Sequence, residues 1–351
     1  MEYLYEYGLF LAQALTFVVA ALLLVAGVVA LGQRHKARAE GHIEIRKVNE
    51  KYRDIADAMR AAMTDPAAQK LAEKARQKAR KAEAKAAKKR AKKQESTGEK
   101  SRNKLFILDF DGDIKASACD QLREEISAVL PHVDEGDEIL LRLESPGGMV
   151  HGYGLAASQL QRITAAGAQL TVAVDKVAAS GGYMMACVAQ RIIAAPFAVL
   201  GSIGVLAQLP NFHRLLKKHD IDFELLTAGE YKRTLTLFGE NTDKGREKFL
   251  EDLERTHALF KAFVTENRPA LDIEQVATGE VWYGREAVAI GLIDDVQTSD
   301  AYVQAQLEDR DVFEVSWVER KNWQDKLGVA AQGAIERALL KLWQHNRGPH
   351  A

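Results

Sequence analysis

The chain has 351 residues, 47% of them hydrophobic and 28% charged, with two cysteines and a formal net charge of −1. That length and apolar content support one large α/β domain with additional segments, and two cysteines exclude a disulfide-built scaffold. No metal-ligand cluster or phosphate-cradling loop stands out, so the expected chemistry needs no cofactor and no metal.

The near-neutral total hides a strong segregation of charge. Gly8 to Leu31 carries no Asp, Glu, Lys or Arg and consists mostly of Leu, Val and Ala, long enough to cross a bilayer as one helix. The preceding MEYLYEY has acidic and no basic residues, unlike the start of a cleaved signal peptide, so residues 1–33 read as a retained single-pass membrane anchor. Residues 34 to 104 hold 23 Lys/Arg against 10 Asp/Glu, and the rest of the chain therefore carries the compensating negative excess. Within this block QKLAEKARQKARKAEAKAAKKRAKKQ has good helix formers and almost no large apolar side chains, which makes 34–103 a basic spacer, either a solvated helix or a disordered segment. Its expected partner is anionic lipid beside the anchor; nucleic acid is not expected, because interleaved aromatics and a known binding module are absent. By the positive-inside rule alone this block, and all that follows, is expected on the cytoplasmic side.

From residue 104 the pattern alternates strand and helix. KLFILDF, EILLRLE and LTVAVD read as strands, and ACDQLREEISAVL, GLAASQLQRIT and GYMMACVAQ as helices, so that repeated βα units imply a mostly parallel sheet. Ile192 to His213 is also uncharged, but Pro196, Gly201, Ser202, Gly204 and Pro210 break it into short pieces such as RIIAA and SIGVLAQ that read as buried strands instead of a second span. NFHRLLKKHD predicts a helix and FELLTA a strand. DKGREKFLEDLERTHALFKAFVTEN predicts a long amphipathic helix packed through Phe249, Leu250, Leu253, Leu259, Phe260 and Phe263. DIEQVATGEVWYGREAVAIGLID closes a domain spanning 104–300. Residues 301–351 add a strand, VFEVSWV, and an amphipathic helix with Ile335, Leu339, Leu342 and Trp343 on one stripe, expected to pack on the domain.

Two of the strand-to-helix turns carry glycine pairs. Ser180 ends a run of small residues and precedes Gly181 and Gly182, a setting that exposes a hydroxyl at a helix N-terminus, where orphan N–H groups stabilise negative charge. The same turn serves equally as a serine N-cap with glycines for close packing. Ser145, Pro146, Gly147 and Gly148 follow the strand EILLRLE in the same way. Acyl transfer needs two donors converging on one oxyanion, which makes the N–H groups of Gly148 and Gly181 the oxyanion-hole candidates. Lys232, 52 positions after Ser180, is the base candidate. A solvated ammonium holds its proton at neutral pH, so this role requires that Lys232 be sheltered from water; Tyr231 and Leu235 are available to do so. Histidine offers the alternative base: His151 lies three residues after Gly148, while His213, His219 and His257 read as solvated helix faces.

The segments SPGGMVHGYG, KVAASGGYMMACVA, APFAVLGSIGV, YKRTLT and GEVWYGREAVAIGLID resemble the signal peptide peptidase A family, peptidase family S49, and the single protease unit behind one span resembles its inner-membrane branch. The resemblance covers roughly residues 104–300. It implies a ClpP/crotonase-like fold of repeated ββα units and a membrane-anchored serine endopeptidase working by a Ser-Lys dyad through an acyl-enzyme. In that pattern Ser180 is the nucleophile, Lys232 the general base and acid, Gly148 and Gly181 the oxyanion hole, and Ser202 the hydroxyl that orients the lysine. It further implies peptide substrates, such as signal-peptide remnants or membrane-associated polypeptides, and a homo-oligomer in which the lysine reaches a neighbour's serine. It suggests an inner-membrane protein with a periplasmic catalytic domain, against the positive-inside rule, so the sequence leaves the face of the membrane open. A crotonase-like acyl-CoA enzyme and a Ser-His-Asp peptidase are the competing readings.

Overall fold

A computed structural model describes residues 41–64 and 102–319 without a break, together with scattered positions between 7 and 19 and between 78 and 85. Most of the predicted anchor, the spacer between 65 and 101, and the C-terminal helix beyond 319 lie outside the described residues. Among the described residues no helix is long and apolar enough to cross a membrane.

The compact unit Ile43–Trp317 is built on a seven-stranded sheet of order β1-β10-β2-β3-β4-β6-β9. Its strands are β1 (Gly41–Lys47), β2 (Lys104–Asp111), β3 (Glu138–Glu144), β4 (Gln169–Val174), β6 (Arg191–Ala194), β9 (Asp295–Val296) and β10 (Asp311–Glu319). Between β10 and β9 every pairing is parallel, with Leu105 opposite Glu138 and Ile139 opposite Leu170. A small second sheet joins β5 (Val177–Ala179), β7 (Val199–Gly201) and β8 (Val281–Tyr283), the first pair parallel and the second antiparallel.

Both faces of the large sheet are covered, which is why its strands read as continuous apolar runs. Phe106, Leu108 and Phe110 alternate onto one face with Ile139, Leu141 and Leu143, against α2 (Cys119–Val129) and α3 (Val150–Ala165). Cys119, Leu122, Ile126 and Val129 recur at helical spacing on the inner side of α2. Leu105, Ile107, Leu140, Ala173 and Ile193 occupy the other face with Val48 of α1 (Val48–Ala62) and Tyr302 and Val303 of α9 (Ser299–Gln306). The remaining helices are α4 (Gly181–Ala186), α5 (His213–Lys218), α6 (Asp243–Asn267), α7 (Ile273–Val276) and α8 (Gly284–Ala289).

Part of the span read as a basic spacer is structural. β1 and α1 fall inside 34–103, yet β1 pairs in the sheet and Asn49 is buried. The Asn49 amide donates to the Leu307 and Arg310 carbonyls at 3.1 and 2.9 Å, and its oxygen accepts the Val312 N–H at 2.7 Å. The net charge of the block concealed this, because the contacts rest on a few apolar and neutral residues among many basic ones. Two expected strands are missing for a different reason. SIGVLAQ leaves the small sheet after Gly201 and FELLTA is irregular, with Leu206 at 79% and Leu226 at 90% exposure. Among the described residues no strand pairs with either segment. Of the expected packing stripe on α6 only Phe260 is buried, joined by Val264; Phe249, Leu253 and Phe263 are half-buried, and Leu250 and Leu259 face solvent.

Glu125, on α2, is buried with one carboxylate oxygen accepting the Trp317 N–H at 2.8 Å and the other without a partner among the described residues. Burial pushes its carboxyl up to about 7; the Trp317 N–H opposes the shift and the charge of Asp109 adds to it. An acid raised above its ordinary value favours folding while protonated, so this contribution is complete in mild acid and is lost as the pH climbs through 7. Glu125→Gln should therefore leave stability near pH 4 little changed and raise it by about 2–3 kcal/mol at pH 8. Urea unfolding at the two pH values checks this, and an identical pH dependence in both proteins would exclude Glu125 as its source.

Candidate active site

The turns after β3 and β5 are brought together by backbone pairing beyond the large sheet. Ser145 donates its N–H to the Val177 carbonyl at 2.8 Å and accepts the Ala179 N–H at 3.0 Å, so the chain leaving β3 runs parallel to β5. β7 flanks β5 on its other side, and the Ser180 N–H donates to the Gly201 carbonyl at 2.8 Å. Ser180 then opens α4, its carbonyl accepting the Met184 N–H at 3.0 Å.

Ser180 is held at φ 52° and ψ −117°, a backbone conformation that serine rarely adopts. Such strain costs about 1–3 kcal/mol and persists where surrounding bonds over-determine it, as the two backbone bonds of Ser180 do here. Among the described residues its hydroxyl has no hydrogen-bond partner. It is therefore not acting as an N-cap, which removes the structural explanation for a serine at this position.

Glycine is required where the two turns touch. Gly147 has φ 89°, and a Cβ on it would lie 2.7 Å from the Ala179 carbonyl oxygen and 2.8 Å from both the Gly181 nitrogen and the Ser180 Cβ. A Cβ on Gly181 would lie 2.3 Å from the Tyr153 ring. The Gly147 N–H donates to the Ser145 hydroxyl at 3.1 Å and is thus engaged within its own turn. Among the described residues the Gly148 and Gly181 N–H groups have no acceptor, leaving both available to a bound oxyanion.

The other predicted residues divide into those near Ser180 along the backbone and those apart from it. Ser202, with φ 50°, follows Gly201 directly and donates its N–H to the Glu280 carbonyl, so the small sheet places it beside the Ser180 turn. Lys232 is exposed on an irregular segment, its N–H donating to the Gly229 carbonyl at 3.2 Å, and no hydrogen bond joins its ammonium to Ser180 within the chain. Tyr231 is exposed and Leu235 is half-buried. His151 lies exposed on the first turn of α3. His257 departs from its reading as a solvated residue: it is half-buried, with Nε2 3.2 Å from the Ile203 carbonyl oxygen. Cys187 is buried and burial pushes its thiol up to about 12, which makes it inert as a nucleophile.

Tyr153 was not singled out from the sequence. Its spacing with Ala156, Ala157 and Leu160 marks the inner face of α3, but nothing in that pattern shows that its hydroxyl reaches Ser145, at 2.5 Å, and the Asp113 carbonyl, at 2.7 Å.

The strain at Ser180 has a measurable consequence. Ser180→Gly should stabilise the protein by about 1 kcal/mol, since glycine adopts this backbone conformation freely. Denaturant unfolding checks this; a clear loss of stability would show that the turn is not strained.

Comparison with known proteins places this geometry in a family. The model for the N-terminal region of peptidase family S49 matches residues 2–160, and that for peptidase family S49 matches residues 162–312. The chain is 49% identical over 326 residues to the protein named probable protease SohB of Haemophilus influenzae, covering 93% of this chain and 92% of that one. It is 47% identical over 343 residues to probable protease SohB of Buchnera aphidicola subsp. Acyrthosiphon pisum, covering 98% of each. Similarity to the H. influenzae protein named protease 4 is 24% over 202 residues, 55% of this chain and 33% of that one. Matched from residue 2 to residue 312 and aligned nearly end to end with the two proteins named probable protease SohB, the chain belongs to peptidase family S49 and is a serine peptidase.

Proposed function

We propose that the chain is a membrane-anchored endopeptidase that cleaves extended polypeptides through a Ser180 acyl-enzyme, with Lys232 as general base and acid. The observation that carries this reading is the strained Ser180, its hydroxyl unengaged, beside two glycine turns whose free N–H groups belong to Gly148 and Gly181. Ser180 Oγ attacks the scissile carbonyl and gives its proton to Lys232. The oxyanion accepts from Gly148 and Gly181, and the collapsing intermediate expels the amine, which takes the proton from Lys232. Water then repeats the sequence on the ester. Ser202 orients the lysine amine, consistent with its place one residue beyond the carbonyl that holds the Ser180 N–H.

The base must be sheltered, and Lys232 is exposed within one chain. A homo-oligomer in which a neighbour covers the 203–242 segment and receives its lysine satisfies that requirement. The exposed Leu206, Ile221, Phe223 and Leu226 along the same segment support such burial. The uncharged run from Gly8 to Leu31 and the basic residues after it supply an anchor and lipid contact, and they direct the enzyme toward signal-peptide remnants and other membrane-associated polypeptides.

A serine-reactive acylating probe on the purified protein tests the dyad. Labelling should occur at Ser180 and vanish in Ser180→Ala, while Lys232→Ala should lower peptidase turnover by about 10³-fold or more. Full turnover in Lys232→Ala together with loss in His151→Ala would replace the dyad by a histidine mechanism. Mixing the two inactive variants tests sharing. Random assembly of equal amounts should restore about a quarter of the sites if serine and lysine come from different chains around a ring, and none if they come from the same chain.

A further inference from the structure

The Asp113 carbonyl can only accept, so the single proton of the Tyr153 hydroxyl lies on the 2.7 Å bond to it. The contact of 2.5 Å between Ser145 Oγ and the Tyr153 oxygen must then have Ser145 as donor. That leaves Ser145 Oγ to accept the Gly147 N–H at 3.1 Å. One directed chain therefore runs from the Gly147 N–H through the Ser145 and Tyr153 hydroxyls to the Asp113 carbonyl. Ser145 and Tyr153 are both fully buried, so water does not compete for any of these bonds. The same tyrosine touches the second turn, since its ring fills the space beside Gly181 where a Cβ would fall at 2.3 Å.

We infer that Tyr153 and Ser145 are positioning residues for the oxyanion hole, fixing the Gly147–Gly148 turn against Gly181 so that the two free N–H groups converge. This rests on the proposed roles of Ser180, Gly148 and Gly181. The engaged Gly147 N–H fixes the Pro146–Gly147 peptide, one residue before the Gly148 N–H, and so limits where that donor can sit. The Tyr153 ring holds Gly181 from behind. Loss of the hydroxyl frees the first turn while the ring still supports the second, so the two donors lose their common target. The interaction is stronger when negative charge is present, so the transition state suffers more than the bound substrate.

The test uses the full-length protein with Tyr153→Phe, Ser145→Ala and the double variant, and kcat is expressed per Ser180 site titrated with the acylating probe. Each single variant should lower kcat by about 10- to 100-fold with KM within about twofold. The inhibition constant of a peptide aldehyde, whose hemiacetal oxygen takes the oxyanion position, should weaken by the same factor; an inactive fraction of enzyme would leave that constant unchanged. The double variant should be no worse than the poorer single one, because both break one chain. If Tyr153→Phe does not fold, Ser145→Ala alone decides, with the same expected losses. Unchanged kcat and aldehyde affinity with Ser180 still labelled would overturn the positioning role and leave the proposed mechanism standing. Labelling at a residue other than Ser180 would overturn the mechanism and this inference with it.

Discussion

The contact between the turn at Gly147 and the turn at Ser180 is the constraint on which the site depends. Neither turn is unusual alone, and each follows a strand in the ordinary manner of a βα unit. What distinguishes them is that Ser145 pairs with β5 just past the C-terminal end of β3, bringing the two backbones within van der Waals distance. At that distance a side chain on Gly147 has no room, the serine takes a strained conformation, and the N–H groups of Gly148 and Gly181 stay without acceptors among the described residues. The strain at Ser180 is sustained by the surrounding sheets and helices, which hold both turns in place.

The buried interior around this contact is rigid by composition. Parallel strands covered on both faces and a tyrosine hydroxyl relay leave few ways for the turns to relax, and at the far end of β3 the buried Glu138 carboxylate accepts from Thr171, Tyr302 and Arg310. The region that would carry the base is the opposite. From Gly204 to Asn241 no residue is buried, and large apolar side chains such as Leu206, Ile221, Phe223 and Leu226 are exposed. One half of the proposed chemistry is built into the protomer and the other is presented outward.

Much of the core was legible in the sequence, because strands buried on both faces and helices with one apolar stripe leave strong local patterns. β2, β3, β4, α2 and α3 were read from such patterns, and the two glycine turns were found by their position after strands. The failures have physical causes. SIGVLAQ and FELLTA carry strand-like composition, but strand formation needs a partner edge, and pairing is not a local property. β1 and α1 were hidden inside a basic block because their anchoring depends on one asparagine and a few apolar residues, which a charge count averages away. The reach of Tyr153 to Ser145 depends on the packing of α3 beneath the β3 turn, and spacing along a helix shows only that the residue faces inward.

β10 lies between β1 and β2, and the Asn49 side chain meets the Val312 backbone across 263 residues of sequence. The sheet that frames the active site is thus closed by the part of this unit that leaves the ribosome last. Until residues 311–319 emerge, β1 has no neighbour and β2 has an open edge, so the nascent chain must wait with an incomplete core. Contacts of such high sequence separation fold slowly. The large sheet of this unit can therefore be completed only once residues 311–319 have been made.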